Sequence, residues 1–218
     1  MRPAIIFDMD GTLFQTNLVL EPALEETFCK LRDKGFWLGD TPLAKYHEIM
    51  GVPLPVVWET LCPGFSHEKR EMANVLFHKH LIDLIENHHG ALYPDVEYVL
   101  AELSGRFNLY IASNGQSNYL QAITGAFGLE RFIKKTYSIE EIPSGHKSDL
   151  AKKVIDENGI VEGAVVGDRL SDIRAAKDNK LIAVGVNFDF AQPEELAQAD
   201  KVINSFTELL ELSVELVK

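Results

Sequence analysis

The feature of the sequence that most constrains its fold is an alternation between short apolar runs and amphipathic helical patterns. Four runs are typical of strands buried on both faces of a parallel sheet, at residues 4–7, 109–112, 164–166 and 181–186. Helical patterns lie beside them at 94–103, 116–127, 147–158 and 171–178. This alternation predicts a parallel α/β sheet. The first three runs end in polar loops, and ligands bind at that edge of such sheets.

Residues 16–90 interrupt this alternation, because they carry several helical patterns and no convincing core strand. A first helix is predicted to begin near Pro22, where a proline suits the first turn. A second is predicted to end at Gly51, and a long third helix to follow the N-cap residue Ser66. The segment therefore reads as a helical insertion after the first strand.

We predict two domains from this organisation. Residues 1–15 and 91–218 form the catalytic core, and residues 16–90 form a helical cap domain. An insertion that begins after the first acidic loop is expected to lie over the ligand-binding edge of the sheet. Such a cap excludes water and selects the substrate.

Composition narrows the range of partners. The chain has 218 residues, 46% apolar content and a formal net charge of −12, which opposes binding to nucleic acid and to anionic membranes. Cys29 and Cys62 are too few for a disulfide framework, and they favour a reducing, cytoplasmic location. The apolar run before Asp8 is too short for a signal peptide or a membrane span. We expect a cytoplasmic protein with a small-molecule substrate, a monomer by default although a homodimer is possible.

Two pairs of acidic residues follow predicted strands. Asp8 and Asp10 lie in a glycine-bearing turn after the first strand, and Asp168 and Asp172 follow the third at the start of a helix. Acids gathered at one edge repel each other unless a cation neutralises them, and oxygen ligands suit Mg²⁺. We therefore predict a Mg²⁺ site here. Taken singly, the first pair more often forms a solvated turn, and the second is equally consistent with acids at a helix N-terminus.

Two further motifs supply groups that suit a phosphate. Ser113 and Asn114 follow the second strand, where a hydroxyl and backbone amides at a helix N-terminus hold phosphate oxygens. Lys147 opens a helix, where a cation is unfavourable unless an anion is near. On their own, Ser113 more often serves as an N-cap and Lys147 as a surface lysine. Their position at the same predicted edge as the acids favours a phosphate site.

These motifs resemble those of a known enzyme family. Residues 7–13, 112–115, Lys147 and 166–173 are similar to the four motifs of the haloacid dehalogenase superfamily. The resemblance covers nearly the whole chain, and residues 16–90 look like the C1-type cap of its phosphoglycolate phosphatase-like members. It implies an α/β fold with a Rossmann-like three-layer parallel sheet core and an inserted helical cap.

The resemblance also implies the mechanism of a phosphoric monoester hydrolase. Asp8 would be the nucleophile that forms an aspartyl-phosphate, and Asp10 would protonate the leaving group and later take a proton from water. The implied Mg²⁺ ligands are Asp8, the main-chain carbonyl of Asp10 and Asp168, and Asp172 is either a further ligand or a residue that supports the ligands. The implied phosphate-binding residues are Ser113, Asn114 and Lys147. Phosphoglycolate, nucleoside monophosphates and small sugar phosphates are the candidate substrates.

Residues at single positions distinguish the other activities of the family. Dehalogenase members lack an acid at the position of Asp10. Phosphonatase members use a cap lysine, for which Lys45, Lys69 and Lys79 are candidates. Sugar phosphomutases usually carry a histidine at the position of Leu20, so a phosphatase is favoured over a mutase. A catalytically silent protein that binds a phosphorylated metabolite is a further alternative.

The sequence departs from the family pattern at two positions. Residues 14–17 stand where many relatives have Asp-Ser, and Ser148 stands where many have proline after the motif lysine. Residues 46–53 are similar to a cap loop of the family, in which Tyr46 and His47 are weak candidates for contact with the leaving group. The sequence therefore predicts the reaction in more detail than the substrate.

Overall fold

The computed structural model describes residues 2–49 and 54–216. The chain divides into two compact units, whose bounds are residues 1–15 with 91–218 for the first and residues 16–90 for the second. The first unit contains a parallel sheet with helices, and the second is helical. In the described part of the chain, no helix has the length and apolar character that crossing a bilayer requires.

The secondary structure alternates in the first unit and is helical in the second. The strands are β1 (Ala4–Phe7), β2 (Asn108–Ser113), β3 (Ile133–Ser138), β4 (Gly163–Gly167), β5 (Ile182–Val186) and β6 (Lys201–Ile203). The helices of the second unit are α1 (Asn17–Asp33), α2 (Leu43–Glu48), α3 (Leu54–Leu61) and α4 (His67–Glu86). Those of the first unit are α5 (Val96–Ser104), α6 (Ser117–Ala126), α7 (Lys147–Asn158), α8 (Leu170–Asp178), α9 (Pro193–Leu196) and α10 (Glu208–Leu212).

All six strands run parallel, in the spatial order β3-β2-β1-β4-β5-β6. The four apolar runs of the sequence are β1, β2, β4 and β5, which confirms the predicted parallel α/β sheet. The chain moves outward from β1 through β2 and β3, and then returns to β4 on the other side of β1. Ligands of open α/β sheets bind at such a reversal of strand order, beyond the carboxyl ends of the strands.

The apolar pattern does not predict the two edge strands, β3 and β6. Lys134 and Lys135 are exposed in β3, and Lys201 and Val202 are exposed in β6. An edge strand has a neighbour on one side only, and charged side chains protect it from pairing with other chains. A continuous apolar run marks a strand covered on both faces, so these two strands lack that signal.

Helices cover both faces of the sheet. On one face, α7, α8 and α9 pack on alternate strand residues that include Ile6, Tyr110 and Val165. Because side chains alternate along a strand, the intervening residues point to the other face. There α5 packs on β2, and the Phe7 ring lies 6.0 Å from that of Phe206, just before α10. The sheet and its two helical layers confirm the predicted Rossmann-like three-layer core.

The first helix of the second unit begins earlier than predicted. α1 starts at Asn17 rather than near Pro22, so Pro22 lies inside the helix. A proline at this position cannot donate the hydrogen bond that would close the turn on the carbonyl of Leu18. The helix nevertheless buries Phe28 and Leu31 on one face. Packing of this apolar face compensates for the missing hydrogen bond.

The second and third predicted helices correspond to α2 and α4, whereas α3 was not predicted. Ser66 caps α4, because its Oγ accepts a hydrogen bond from the Lys69 N–H at 3.4 Å. α2 ends at Glu48, and the end predicted at Gly51 lies outside the described residues. The cap segment 46–53 is described only up to residue 49. Its expected part in substrate selection stays a prediction.

The two segments that flank residues 16–90 are joined by hydrogen bonds within the first unit. The Gln15 main-chain N–H donates to the Ala91 carbonyl at 2.9 Å, and the Gln15 side chain donates to the Leu92 carbonyl at 2.7 Å.

We predict that a chain with residues 16–90 replaced by a short Gly-Ser linker unfolds cooperatively, because it keeps the whole sheet and both helical layers. Urea titration followed by circular dichroism measures this.

The control for this prediction is Ile6→Ala in the shortened chain. Ile6 is 1% exposed in the interior strand β1, so the substitution should lower the free energy of unfolding by about 2–5 kcal/mol. Gradual, non-cooperative unfolding of the shortened chain would contradict the proposal that residues 16–90 form a separable domain.

Candidate active site

Three predicted motifs lie at the carboxyl ends of neighbouring strands. Asp8 follows β1, Ser113 ends β2 and Asp168 follows β4. β1 pairs with β4 in a register that aligns Phe7 with Val166, and the Asp8 N–H donates to the Val166 carbonyl at 2.9 Å. The parallel sheet therefore brings loops from distant parts of the sequence to one edge.

Lys147 lies at the centre of a group of buried acids. Its Nζ is 2.7 Å from Asp8 Oδ1 and 2.5 Å from Asp172 Oδ1. The side chains of Lys147, Asp8 and Asp172 are 4%, 9% and 1% exposed. Removing one partner of such a buried pair leaves an uncompensated charge, at a cost of about 3–5 kcal/mol. Ser148, which follows the motif lysine, donates a hydrogen bond to Asp178 Oδ2 at 2.6 Å, outside the group around Lys147. The serine in place of the family's proline therefore does not prevent Lys147 from contacting Asp8 and Asp172.

Asp168 completes what we call the acidic cluster, which consists of Asp8, Lys147, Asp168 and Asp172. Each of its three acids offers a carboxylate oxygen, and these oxygens lie within 4.8 Å of one another. The Thr12 hydroxyl donates to Asp168 Oδ1 at 3.2 Å. Three carboxylates face one ammonium group, so the cluster has a formal excess of two negative charges when all its groups are ionised.

Asp172 joins the acidic cluster to the start of α8. Its Oδ1 faces Lys147, while its Oδ2 accepts a hydrogen bond from the Arg169 N–H at 3.1 Å. A Cβ on Gly167 would overlap the Asp172 carboxyl group, so only glycine lets the end of β4 approach this closely. Asp172 therefore orients the lysine and caps the helix with the same carboxylate.

Burial and repulsion shift the protonation of the acidic cluster. Burial raises the pKa of Asp168 to about 8, and the charges of Asp8 and Asp172 add to this effect. Burial also raises the pKa of Asp172, although Lys147 opposes the shift. Burial alone would lower the pKa of Lys147, but the two adjacent carboxylates outweigh it and raise that pKa. The lysine stays charged, whereas Asp168 and Asp172 tend to retain protons.

The acidic cluster fits a divalent cation. Carboxylate oxygens are the hard ligands that Mg²⁺ and similar ions prefer, and three carboxylates converge here. A cation would also neutralise the excess negative charge that raises the pKa of Asp168. The three acids whose oxygens converge here are Asp8, Asp168 and Asp172.

Asp10 is held by a tyrosine of the helix that follows β2. It lies in the turn after β1, where the Gly11 N–H donates to the Phe14 carbonyl at 3.1 Å. The Tyr119 hydroxyl donates to Asp10 Oδ1 at 2.6 Å. The carboxyl group of Asp10 is therefore oriented by the helix that follows β2.

Ser113 and Asn114 lie at the end of the adjoining strand. Ser113 is buried, and its Oγ accepts a hydrogen bond from the Gly115 N–H at 3.2 Å. Asn114 is exposed. Within residues 2–49 and 54–216, no described hydrogen bond or ion pair joins either residue to the acidic cluster. The structure thus brings Asp8, Asp168, Asp172 and Lys147 together, and places Ser113 and Asn114 at the end of β2.

Two residues at this edge were missed by sequence reasoning. Tyr119 carries little signal, because an aromatic residue in the first turn of a helix usually packs in the core. Glu195 resembles a surface acid in sequence, yet its Oε2 accepts from Arg169 Nε at 3.0 Å and from the Leu170 N–H at 2.8 Å. Glu195 thereby fixes the loop that follows Asp168. Only the position of Tyr119, just after the Ser-Asn-Gly loop, could have drawn attention to it.

Comparisons with known proteins agree on one family. A family model described as haloacid dehalogenase-like hydrolase matches residues 5–186. The chain is 24% identical to a 5'-nucleotidase of Pseudomonas aeruginosa over 89% of this chain and 86% of that protein. It is 23% identical to the pyrophosphatase PpaX of Listeria monocytogenes over 94% of each. CbbY of Rhodobacter sphaeroides, solved in complex with phosphate, has the same fold, with a TM-score of 0.77, 23% identity and 96% of each chain covered.

We predict that the metal-free protein becomes less stable as the pH rises. A carboxyl group whose pKa is raised on folding binds its proton more tightly in the folded state. The resulting stabilisation is fully present below the ordinary Asp168 pKa of 3.8 and is lost as the pH rises through about 8. Urea unfolding with EDTA at several pH values in this window measures the decline. Asp168→Asn should flatten it, whereas Asp156→Asn, at an exposed position, should not.

Added Mg²⁺ should counteract this loss of stability. Because protons compete with the cation for the same carboxylates, we predict that Mg²⁺ raises the unfolding temperature more near pH 8 than near pH 5. Differential scanning calorimetry with and without Mg²⁺ measures the two increments. An equal response in wild type and in Asp168→Asn would show that the cation does not bind at the acidic cluster.

Proposed function

The chain belongs to the haloacid dehalogenase-like hydrolase family, and from this membership we propose that it is a Mg²⁺-dependent phosphatase acting on small phosphate monoesters. The observation that carries the proposal is the acidic cluster, in which the Asp8 carboxylate lies 2.7 Å from a buried ammonium group. A carboxylate held next to a fixed cation suits attack on a phosphate, because the cation offsets the repulsion between two anions.

In the proposed first step, an oxygen of the Asp8 carboxylate attacks phosphorus and the bond from phosphorus to the leaving oxygen breaks. The electron pair of that bond stays on the leaving oxygen, which takes a proton from the Asp10 carboxyl group. An alcohol departs, and Asp8 carries the phosphoryl group. In the second step, Asp10 takes a proton from water, the water oxygen attacks phosphorus, and Asp8 is released with inorganic phosphate.

Lys147 serves both charge balance and phosphate binding in this proposal. Its pKa is raised by the adjacent carboxylates, so it is protonated throughout the physiological range. The ammonium keeps the nucleophile oriented and lies close enough to it to contact a phosphate oxygen during attack. Electrostatic stabilisation of this kind supplies most of the acceleration in phosphoryl transfer.

The cation would be held by Asp8, Asp168 and the main-chain carbonyl of Asp10. Asp172 already gives one oxygen to Lys147 and the other to the Arg169 N–H, so it suits an orienting role better than direct coordination. When bound, Mg²⁺ would neutralise charge on the phosphate and on the acids.

Ser113 and Asn114 are proposed to bind the phosphoryl oxygens from the neighbouring strand. Ser113 ends β2, which pairs directly with β1, and Asn114 is exposed in the loop that follows. A hydroxyl and main-chain amides before a helix N-terminus offer donors to an anion. The position of both residues at the end of β2 supports this assignment.

We propose that the substrate is a small phosphorylated metabolite. We also propose that the protein is cytoplasmic and, by default, a monomer. The net charge of −12 opposes binding to nucleic acid and to anionic membranes. Relatives named 5'-nucleotidase and pyrophosphatase add pyrophosphate to the sequence-based candidates, which are phosphoglycolate, nucleoside monophosphates and sugar phosphates. All of these present a terminal phosphoryl group that one site can accept.

We predict that the protein releases phosphate from p-nitrophenyl phosphate only when Mg²⁺ is present. Asp8→Asn should lower kcat by ~10³-fold or more, because the amide cannot act as the nucleophile. Asp156→Asn is the matched control at an exposed acid and should keep wild-type activity. Substantial activity in Asp8→Asn would contradict the role assigned to Asp8.

A panel of phosphate esters separates this function from its alternatives. Phosphate release from one member well above the others would identify the substrate class. A mutase would instead convert a sugar 1-phosphate into its 6-phosphate with little free phosphate. Binding of panel members without turnover, measured by calorimetry, would indicate a catalytically silent metabolite-binding protein.

A further inference from the structure

Tyr119 is a buried tyrosine whose hydroxyl group lies at the active-site edge. Its side chain is 5% exposed, and its hydroxyl donates to Asp10 Oδ1 at 2.6 Å across 109 residues of sequence. A short hydrogen bond to a carboxylate is among the stronger hydrogen bonds in proteins. The contact is therefore strong enough to fix the orientation of the carboxyl group that accepts it.

The backbone that carries Tyr119 is itself fixed. The N–H and the hydroxyl of Ser117 both donate to Glu140 Oε2 at 2.9 Å, which anchors the first turn of α6. A Cβ on Gly115 would lie 3.0 Å from the Tyr119 ring, so the glycine allows the loop after β2 to lie against that ring. Tyr119 thus presents its hydroxyl from a rigid support.

The hydrogen bond makes the two oxygens of Asp10 different from each other. Tyr119 directs its one hydroxyl proton to Oδ1, so a proton on the Asp10 carboxyl group is favoured on Oδ2. A general acid works only when its proton faces the atom that receives it, and small errors in this geometry are costly. The tyrosine therefore favours Oδ2 over Oδ1 as the oxygen that carries the proton.

We propose that Tyr119 is a positioning residue, which holds the Asp10 carboxyl group so that Oδ2 delivers its proton to the leaving oxygen. The proposal rests on the function proposed above, in which Asp10 is the general acid. Tyr119 acts through Asp10 and has no direct contact with phosphorus in this role. Its contribution should depend on how much the leaving group needs protonation.

Phenyl phosphate and p-nitrophenyl phosphate are the matched probes for this dependence. They have nearly the same shape, but p-nitrophenolate leaves without much help from an acid, whereas phenolate is a poorer leaving group. In Tyr119→Phe we expect kcat/KM for phenyl phosphate, which reports the steps up to the aspartyl-phosphate, to fall about tenfold or more, as for the loss of a hydrogen bond to a charged group. The kcat/KM for p-nitrophenyl phosphate should fall much less.

Tyr110→Phe is the matched control. Tyr110 is also 5% exposed, but it packs in the core between the sheet and α7 and α8. Its substitution should leave the ratio of the two kcat/KM values unchanged. Because both substrates are assayed on one preparation, the ratio does not depend on the fraction of each variant that is folded.

A double-mutant cycle with Asp10→Asn tests whether Tyr119 acts through Asp10. If it does, Tyr119→Phe should have almost no further effect on the ratio in the Asp10→Asn background. An unchanged ratio in Tyr119→Phe, while Asp10→Asn alters it, would overturn the positioning role and leave the proposed function standing. An unchanged ratio in Asp10→Asn itself would instead overturn the general-acid role on which the inference rests.

Discussion

The buried ammonium group of Lys147 is the interaction on which the candidate active site depends. Its Nζ lies between the carboxylates of Asp8 and Asp172, and all three side chains are shielded from water. Without this cation, the acids that follow β1 and β4 would repel each other in a medium of low dielectric constant. The lysine offsets only part of their charge, and the remaining negative charge suits a divalent cation.

The sheet supplies this arrangement through the order of its strands. β1 lies between β2 and β4, so the loops that follow these strands meet at one edge. The candidate nucleophile Asp8 follows the interior strand β1, and the residues around it come from segments that are distant in sequence. Gly167 allows close contact with Asp172, and Tyr119 reaches Asp10 from the helix after β2. Each functional side chain is therefore held by an element whose own position is fixed by the core.

The sequence predicted those parts of the structure that depend on local pattern. The bounds of β1 and α7 agree with the predicted 4–7 and 147–158, because β1 is apolar throughout and α7 ends at Gly159 in a left-handed conformation. Parallel strand order then brings the motif residues to one edge. These patterns did not predict the edge strands, because exposed lysines interrupt the apolar run in β3. They also placed the start of α1 too late, because packing of the helix outweighs the preference of proline for the first turn. The contact of Tyr119 with Asp10 depends on tertiary packing, and periodicity does not encode it.

The central claim is that Asp8 becomes covalently phosphorylated during turnover. The most direct measurement is mass spectrometry of the protein after it has been mixed with p-nitrophenyl phosphate and Mg²⁺ and quenched in acid within the first turnover. We expect a phosphoryl group on the peptide that contains Asp8, and its absence when the quenched sample is treated with hydroxylamine, which cleaves acyl phosphates. Turnover without any phosphorylated protein, or with the phosphoryl group on another residue, would contradict the account.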